Sequence, residues 1–209
     1  MATNGQEIEA KFYVRDLKSI RSLLRSPPPV GLGGVLIQRR VLERNLRFDL
    51  PDGSLRAAGR VLRLRKDHET RLTYKGPSKL KRGVMSRREV ELEVKDFEDA
   101  RQLLEQLGYR AILSYEKYRA TYALRKVHVM LDELPFGNFV EIEGPDSTTI
   151  EAAALRLRLK MSAAIGASYA ALFDALRATL RLKFAELSFE NFDGMRVTPA
   201  QLGVDPADR

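Results

Sequence analysis

Residues 7–12, Glu-Ile-Glu-Ala-Lys-Phe, alternate charged with apolar or small side chains without a break. Successive side chains of a β-strand point to opposite faces. As a strand, this stretch puts Glu7, Glu9 and Lys11 on one face and Ile8, Ala10 and Phe12 on the other. The second set suits an ordinary core. The first faces water or something charged, and the other strands decide which.

The same period of two recurs along the chain, predicting strands at 35–50, 61–66, 70–75, 87–94, 111–125, 127–132 and 139–143. Pro51-Asp52-Gly53-Ser54, Asp67-His68-Glu69 and Pro135-Phe136-Gly137-Asn138 supply turns, and 78–83 reads as a basic loop. Helical spacing appears at 16–24, with Asp16 as N-cap, and at 96–107, with Asp96 as N-cap and Gly108 as stop. An Ala- and Leu-rich pattern predicts helix from 148 to about 182. Many short strands with one charged face predict an α+β protein built on a closed antiparallel sheet.

A net charge of +8 and a pI near 9.8 suit anionic partners: nucleic acid, a membrane surface or a polyphosphorylated small molecule. The absence of cysteine excludes disulfides, thiolate metal sites and a Cys nucleophile, and fits a reducing cytoplasm. The N-terminus lacks the basic start and apolar run of a signal peptide. The longest apolar region, 161–182, is broken by Arg177 and Arg181 and reads as a packed helix, not a membrane span. A cytoplasmic location is expected.

Collected strand by strand, the polar faces carry Glu7, Glu9 and Lys11; Arg63 and Arg65; Thr73 and Lys75; Arg87, Glu89 and Glu91; Lys117 and Arg119; Asp132; Glu141 and Glu143. Any one of these could be a solvated face. As a set they need another account, because the helices also need a face of the sheet. The apolar face packs on them, and the charged face closes into a lumen. Carboxylates there suit Mg2+ or Mn2+, and Arg and Lys suit phosphate oxygens. Together they fit a triphosphate.

The Glu-x-Glu-x-Lys opening, Leu62-Arg63-Leu64-Arg65, residues 72–77 (Leu-Thr-Tyr-Lys-Gly-Pro), Glu89-x-Glu91, Lys117-Tyr118-Arg119, Asp132 and residues 139–143 (Phe-Val-Glu-Ile-Glu) resemble, in this order, the CYTH superfamily of triphosphate tunnel metalloenzymes. That family takes its name from class IV adenylyl cyclase and thiamine triphosphatase. The resemblance runs from Glu7 to about Tyr169. It implies an eight-stranded antiparallel β-barrel with helices outside, binding a triphosphate and Mg2+ or Mn2+. By position, Glu7, Glu9, Asp132, Glu141 and Glu143 become the metal-side carboxylates. Lys11, Arg63, Arg65, Lys75, Lys117 and Arg119 become the phosphate grip, with Lys11, Arg63 and Lys75 catalytic. Glu89 and Glu91 occupy a wall where the family also carries acidic residues.

Two departures stand out. Many relatives have aromatic-Phe-Asp where this chain reads Leu46-Arg47-Phe48-Asp49. Arg47 is read first as a surface charge and second as an additional phosphate contact. The tunnel domain is assigned to 1–180, leaving 181–209 as an extension, partly mobile, that plugs one end or packs outside. His68 and His128 have no partner at ligand spacing and are read as structural or solvent-exposed. Gly31-Leu32-Gly33-Gly34 is followed by no helix and is not a phosphate loop. The basic stretch 79–88 lacks the interleaved aromatics of a single-strand platform, so nucleic acid is not expected. A homodimer is compatible with exposed outer helices, but no interface is legible. Triphosphate hydrolysis is the favoured reaction and conversion of ATP to cyclic AMP the alternative. The intact carboxylates argue against a binding protein without turnover.

Overall fold

The computed structural model describes residues 5–208. Its strands are β1 (Gln6–Val14), β2 (Val35–Asp49), β3 (Val61–Lys66), β4 (Thr70–Lys75), β5 (Lys79–Lys81), β6 (Val84–Val94), β7 (Arg110–Leu124), β8 (Val127–Leu134) and β9 (Gly137–Glu143). They pair in the order β1-β9-β8-β7-β2-β3-β4-β6, and β6 returns to β1 through Gln6↔Arg88 to Glu9↔Met85. Eight antiparallel strands therefore close into a barrel, with β5 outside the ring. This is the architecture that the alternating pattern predicts.

The apolar faces turn outward and are covered. Ala10, Phe12, Val129, Leu131, Val140 and Ile142 pack against α1 (Leu17–Arg25) and α4 (Ser147–Arg156). α3 (Phe97–Gln106) sits on Phe48 and Leu64. Asp16, Asp96 and Asp146 each accept backbone N–H bonds from the first turn of the helix they precede, satisfying donors that a helix start leaves open. Asp49 does the same for α2 (Ser54–Ala57), accepting from Leu55 and Arg56.

Two local expectations are corrected. The stretch 78–83 is not a loop: β5 turns at Arg82-Gly83 and pairs back along Lys81↔Val84. Both turn residues have positive φ, 51° and 78°, as a two-residue hairpin of the primed type requires. Nor is 148–182 one helix. α4 ends at Arg156, a 3-10 turn spans Met161–Ala163, and α5 begins only at Tyr169 and runs to Leu180. The backbone between them is committed to β1, with Ile165 N–H donating to the Lys11 carbonyl at 2.8 Å. Tertiary hydrogen bonds override local helix preference here.

The segment after α5 closes one end of the barrel. Tyr13, Tyr115 and Phe139 lie on the same strand faces as Lys11, Lys117 and Glu141, two residues along. They join Tyr169, Phe173, Leu187 and Phe192 in one aromatic cluster. Backbone from the same region fills two seams that the strands leave. Leu187 pairs beside Tyr115, and Pro206 beside Tyr13. α6 (Pro199–Leu202) follows, and Asp208 accepts from the Arg15 and Asp16 N–H groups. Among the described residues, no helix is long and apolar enough to cross a membrane.

Candidate active site

Closing the sheet turns the polar faces inward and gathers them around a cavity of about 790 Å³. Glu7, Glu9, Lys11, Arg63, Arg65, Lys75, Glu89, Glu91, Lys117, Arg119, Glu141 and Glu143 all line it. Register sets the neighbours: Lys11 lies opposite Glu141, Glu9 opposite Glu143, Lys75 opposite Glu89, and Arg119 opposite Asp132. Directly opposed residues of antiparallel strands share a face, so these pairs point into the same space.

On the β2, β3, β7 and β8 side, each carboxylate is surrounded by cations. Asp132 is fully buried and accepts from Lys117 Nζ at 2.9 Å, Arg119 Nε at 2.7 Å and the Tyr169 hydroxyl at 2.9 Å. Glu43, also fully buried, lies 3.5 Å from Lys117, 3.6 Å from Arg65 and 3.9 Å from Arg119. Burial pushes the Glu43 carboxyl up, but Lys117, Arg119 and Arg65 outweigh it and hold it at about 2. Tyr169, at the start of α5, also places its ring 4.2 Å from Lys11 Nζ and 5.2 Å from Lys117 Nζ. Both distances suit cation–π attraction.

The β1, β6 and β9 side is less balanced. Glu7 takes Lys75 at 2.6 Å and Arg87 at 2.7 Å, and these hold its carboxyl at about 2 against burial. Glu141 meets Lys11 at 3.3 Å and also Arg119, which hold it well below the usual carboxylate range against burial. Glu9 has no such close partner: the ion pair found for it is with Arg87, at 3.7 Å. Burial, then the charges of Glu141 and Glu7, push its carboxyl up to about 7. Like charges crowded at a dry site are what a cation relieves. The donors Glu7, Glu9, Glu141 and Glu143 are all carboxylate oxygens, which fit Mg2+ or Mn2+ by hardness. As they stand, no three acidic or imidazole side chains among the described residues converge on one metal position.

The structure thus brings together every residue singled out in the sequence, with one changed position. Asp132 faces inward with Arg119 but is covered, its oxygens taken by Lys117, Arg119 and Tyr169, so that it holds these side chains and does not line the open cavity. The first reading of Arg47, as a surface charge, gives way: it lines the cavity. His128 also lines the cavity, half-buried and opposite Glu143 in register. Glu43, Tyr115 and Tyr169 are wall or support residues to which sequence reasoning gave no role, and Arg87, placed on the polar face of its strand, is a close partner of Glu7. Glu43 is hidden because Arg44 beside it is also charged, which blurs the alternation of β2. Tyr169 is invisible because only the fold sets α5 against the lumen.

A family model described as the CYTH domain matches residues 5–167. A protein of Methanocaldococcus jannaschii, provisionally named an adenylate cyclase, is 28% identical over 139 residues, or 66% of this chain and 75% of that protein. A solved structure from Vibrio parahaemolyticus, also provisionally named an adenylate cyclase, matches with a TM-score of 0.68 and 23% identity, covering 79% of this chain and 97% of the other. A Hippeastrum protein matches with a TM-score of 0.59 and 20% identity, covering 80% of this chain and 95% of its own. It is described as a candidate adenylyl cyclase that reveals a dominant triphosphatase activity.

Proposed function

This chain belongs to the CYTH domain family, and from that premise we propose that it hydrolyses a triphosphate inside the barrel, with Mg2+ or Mn2+ as cofactor. The substrate is inorganic tripolyphosphate or a nucleoside or other organic triphosphate. The observation that carries the reading is the lumen's internal neutralisation. Lys11, Lys75, Arg63, Arg65 and Arg119 each lie within 4.0 Å of a carboxylate that lines the lumen, and Lys117 lies 2.9 Å from the buried Asp132, while Glu9 is left without a close cation. A polyanion and a divalent cation can exchange into such a set without leaving charge unpaired.

In this reading the six cations bind phosphate oxygens, Arg as a fork and Lys as a point charge. Lys75 exchanges Glu7 for phosphate, and Lys11 exchanges Glu141. The carboxylates released, with Glu9 and Glu143, are the donors that would hold the metal. When bound, such an ion supplies charge neutralisation and activation of water. The water oxygen bonds to the terminal phosphorus as the bridging P–O bond breaks; one water proton stays on the orthophosphate, the other passes to solvent, and the bridging oxygen leaves on the diphosphate product. Lys11, Arg63 and Lys75 stabilise the charge that builds on the departing oxygen. Asp132 and Tyr169 act one step back, holding Lys117, Arg119 and Lys11 in position.

Hydrolysis is favoured over cyclisation because a cyclase must also hold an adenine and aim a ribose hydroxyl. Tyr169 and Tyr115 are the aromatic rings on the wall, and both are engaged: Tyr169 with Asp132 and the two lysines, Tyr115 with Arg63 and Lys117. Cyclisation is the second reading, favoured by the name of the M. jannaschii relative. The test is one substrate panel assayed with Mg2+ or Mn2+ for both phosphate and cyclic nucleotide. Phosphate release from tripolyphosphate, abolished by EDTA, is the expected result. No release from any triphosphate would overturn hydrolysis, and cyclic AMP from ATP would install the second reading.

A further inference from the structure

Arg47 differs from the other cations of the lumen. Arg65 has Glu91 at 3.5 Å and Glu43 at 3.6 Å, Arg87 has Glu7 at 2.7 Å, and Arg63 has Thr73 at 3.4 Å and Glu91 at 4.0 Å. Arg47 lines the same cavity, half-buried, yet among the described residues no carboxylate lies within ion-pair distance of it. Asp174 is near enough to be felt but is held by Arg56 at 2.8 Å. Burial pushes the Arg47 guanidinium below its usual range, and the like charges of Arg56 and Arg87 add to this, against Tyr115 and Asp174. A guanidinium stays charged under such conditions, and a half-buried charge without a counterion costs stability. An anion brought by a ligand removes that cost.

Its position indicates which anion. Arg47 lies directly opposite Arg63 across the β2–β3 pair, one step beyond the Asn45–Arg65 pair on the same face. It therefore extends the phosphate-binding cations by one position. An organic triphosphate ends, on one side, in an esterified phosphate with a single charge, followed by uncharged organic atoms. Inorganic tripolyphosphate has two free terminal phosphates, each carrying more charge and three terminal oxygens. An additional fork beside Arg63 gains from the second free end and gains little from an ester.

We propose that Arg47 and Arg63 together form an anion subsite that selects inorganic tripolyphosphate over organic triphosphates. The proposal rests on the triphosphate reading of the lumen and narrows its substrate class.

The test is calorimetric binding in metal-free buffer, with inorganic tripolyphosphate and ATP titrated separately into the wild-type chain, Arg47→Gln and Arg47→Lys. Wild type is expected to bind tripolyphosphate several-fold more tightly than ATP. Arg47→Gln is expected to weaken tripolyphosphate on the order of tenfold and ATP by much less, so that the preference collapses. Arg47→Lys, which keeps the charge but loses the fork, is expected to retain part of it. Equal losses for both ligands would mean a general field effect and overturn the proposal, as would an unchanged preference in Arg47→Gln or no preference in wild type. Should Arg47→Gln fail to fold by its thermal melt, Arg47→Lys decides alone, and an unchanged preference there overturns the proposal. Phosphate release with Mg2+ is measured separately. Preferential binding without release removes the hydrolytic function and leaves the Arg47 subsite standing.

Discussion

Glu43 and Glu9 are buried carboxylates inside one barrel with opposite surroundings. Glu43, on the β2–β7 wall, has three cations within 3.9 Å and is held at about 2. Glu9, on the β1–β9 wall, has one cation at 3.7 Å and two glutamates pressing on it, and rises to about 7. In the first arrangement the charge is balanced by those cations, although neither carboxylate oxygen has a hydrogen bond. The second is incomplete and is where an added cation gains most. Equal burial therefore does not mean equal role, and the neighbours decide.

The sharpest way to break this contrast is Glu43→Gln. It leaves Lys117, Arg65 and Arg119 short of a counterion in a buried site and should cost about 3–5 kcal/mol in urea unfolding. A loss under about 1 kcal/mol would make Glu43 no more structural than Glu9. Next, Glu9→Gln should lower metal-dependent turnover on the order of 10²-fold or more while the protein remains folded. Activity that survived would remove Glu9 from the metal side.

The same residue fixes the sign of a pH effect in metal-free buffer. Its carboxyl is raised from 4.5 to about 7 in the folded protein, so the folded state binds the proton more tightly. Glu9 then contributes stability fully present below about pH 4.5 and lost as pH rises through 7. Glu9→Gln should flatten that decline, and identical stability profiles would refute the assignment.

Tyr169→Phe keeps the ring near Lys11 and Lys117 but removes the hydroxyl donated to Asp132. Between about 1 and 3 kcal/mol of thermal stability should go with it, and phosphate affinity should fall because Asp132 orients Lys117 and Arg119. A stability loss with unchanged affinity would confine Tyr169 to packing. The smallest effect is expected for Arg65→Ala, on the order of tenfold in substrate binding, since other cations still surround the phosphates. Unchanged affinity would move Arg65 out of the grip.

The strands were legible because their period is short and unbroken: Val-Leu-Arg-Leu-Arg-Lys admits few other readings. The Asp caps of α1 and α3 were equally local. What failed to read was whatever depends on contacts distant in sequence. The break between α4 and α5 comes from hydrogen bonds to β1, more than 150 residues earlier. The Arg82-Gly83 turn lies among charged residues, so 78–83 read as a loop.

For the site, the resemblance to the CYTH family named the lumen residues by position, and all but Asp132 line the cavity. It could not name Glu43, Tyr169 or His128, nor move Arg47 from surface to wall. Those depend on which faces meet after closure.

The sequence by itself determined that this chain makes antiparallel strands with one charged and one apolar face, because alternation is a property of neighbouring residues. It also determined that the charged faces carry both signs. Only the tertiary structure decided which acid faces which base. That depends on register, and shifting a strand by one residue would turn every side chain to the other face. Closure of β6 onto β1 thus makes Glu7 a paired carboxylate and Glu9, two residues along, an underpaired one.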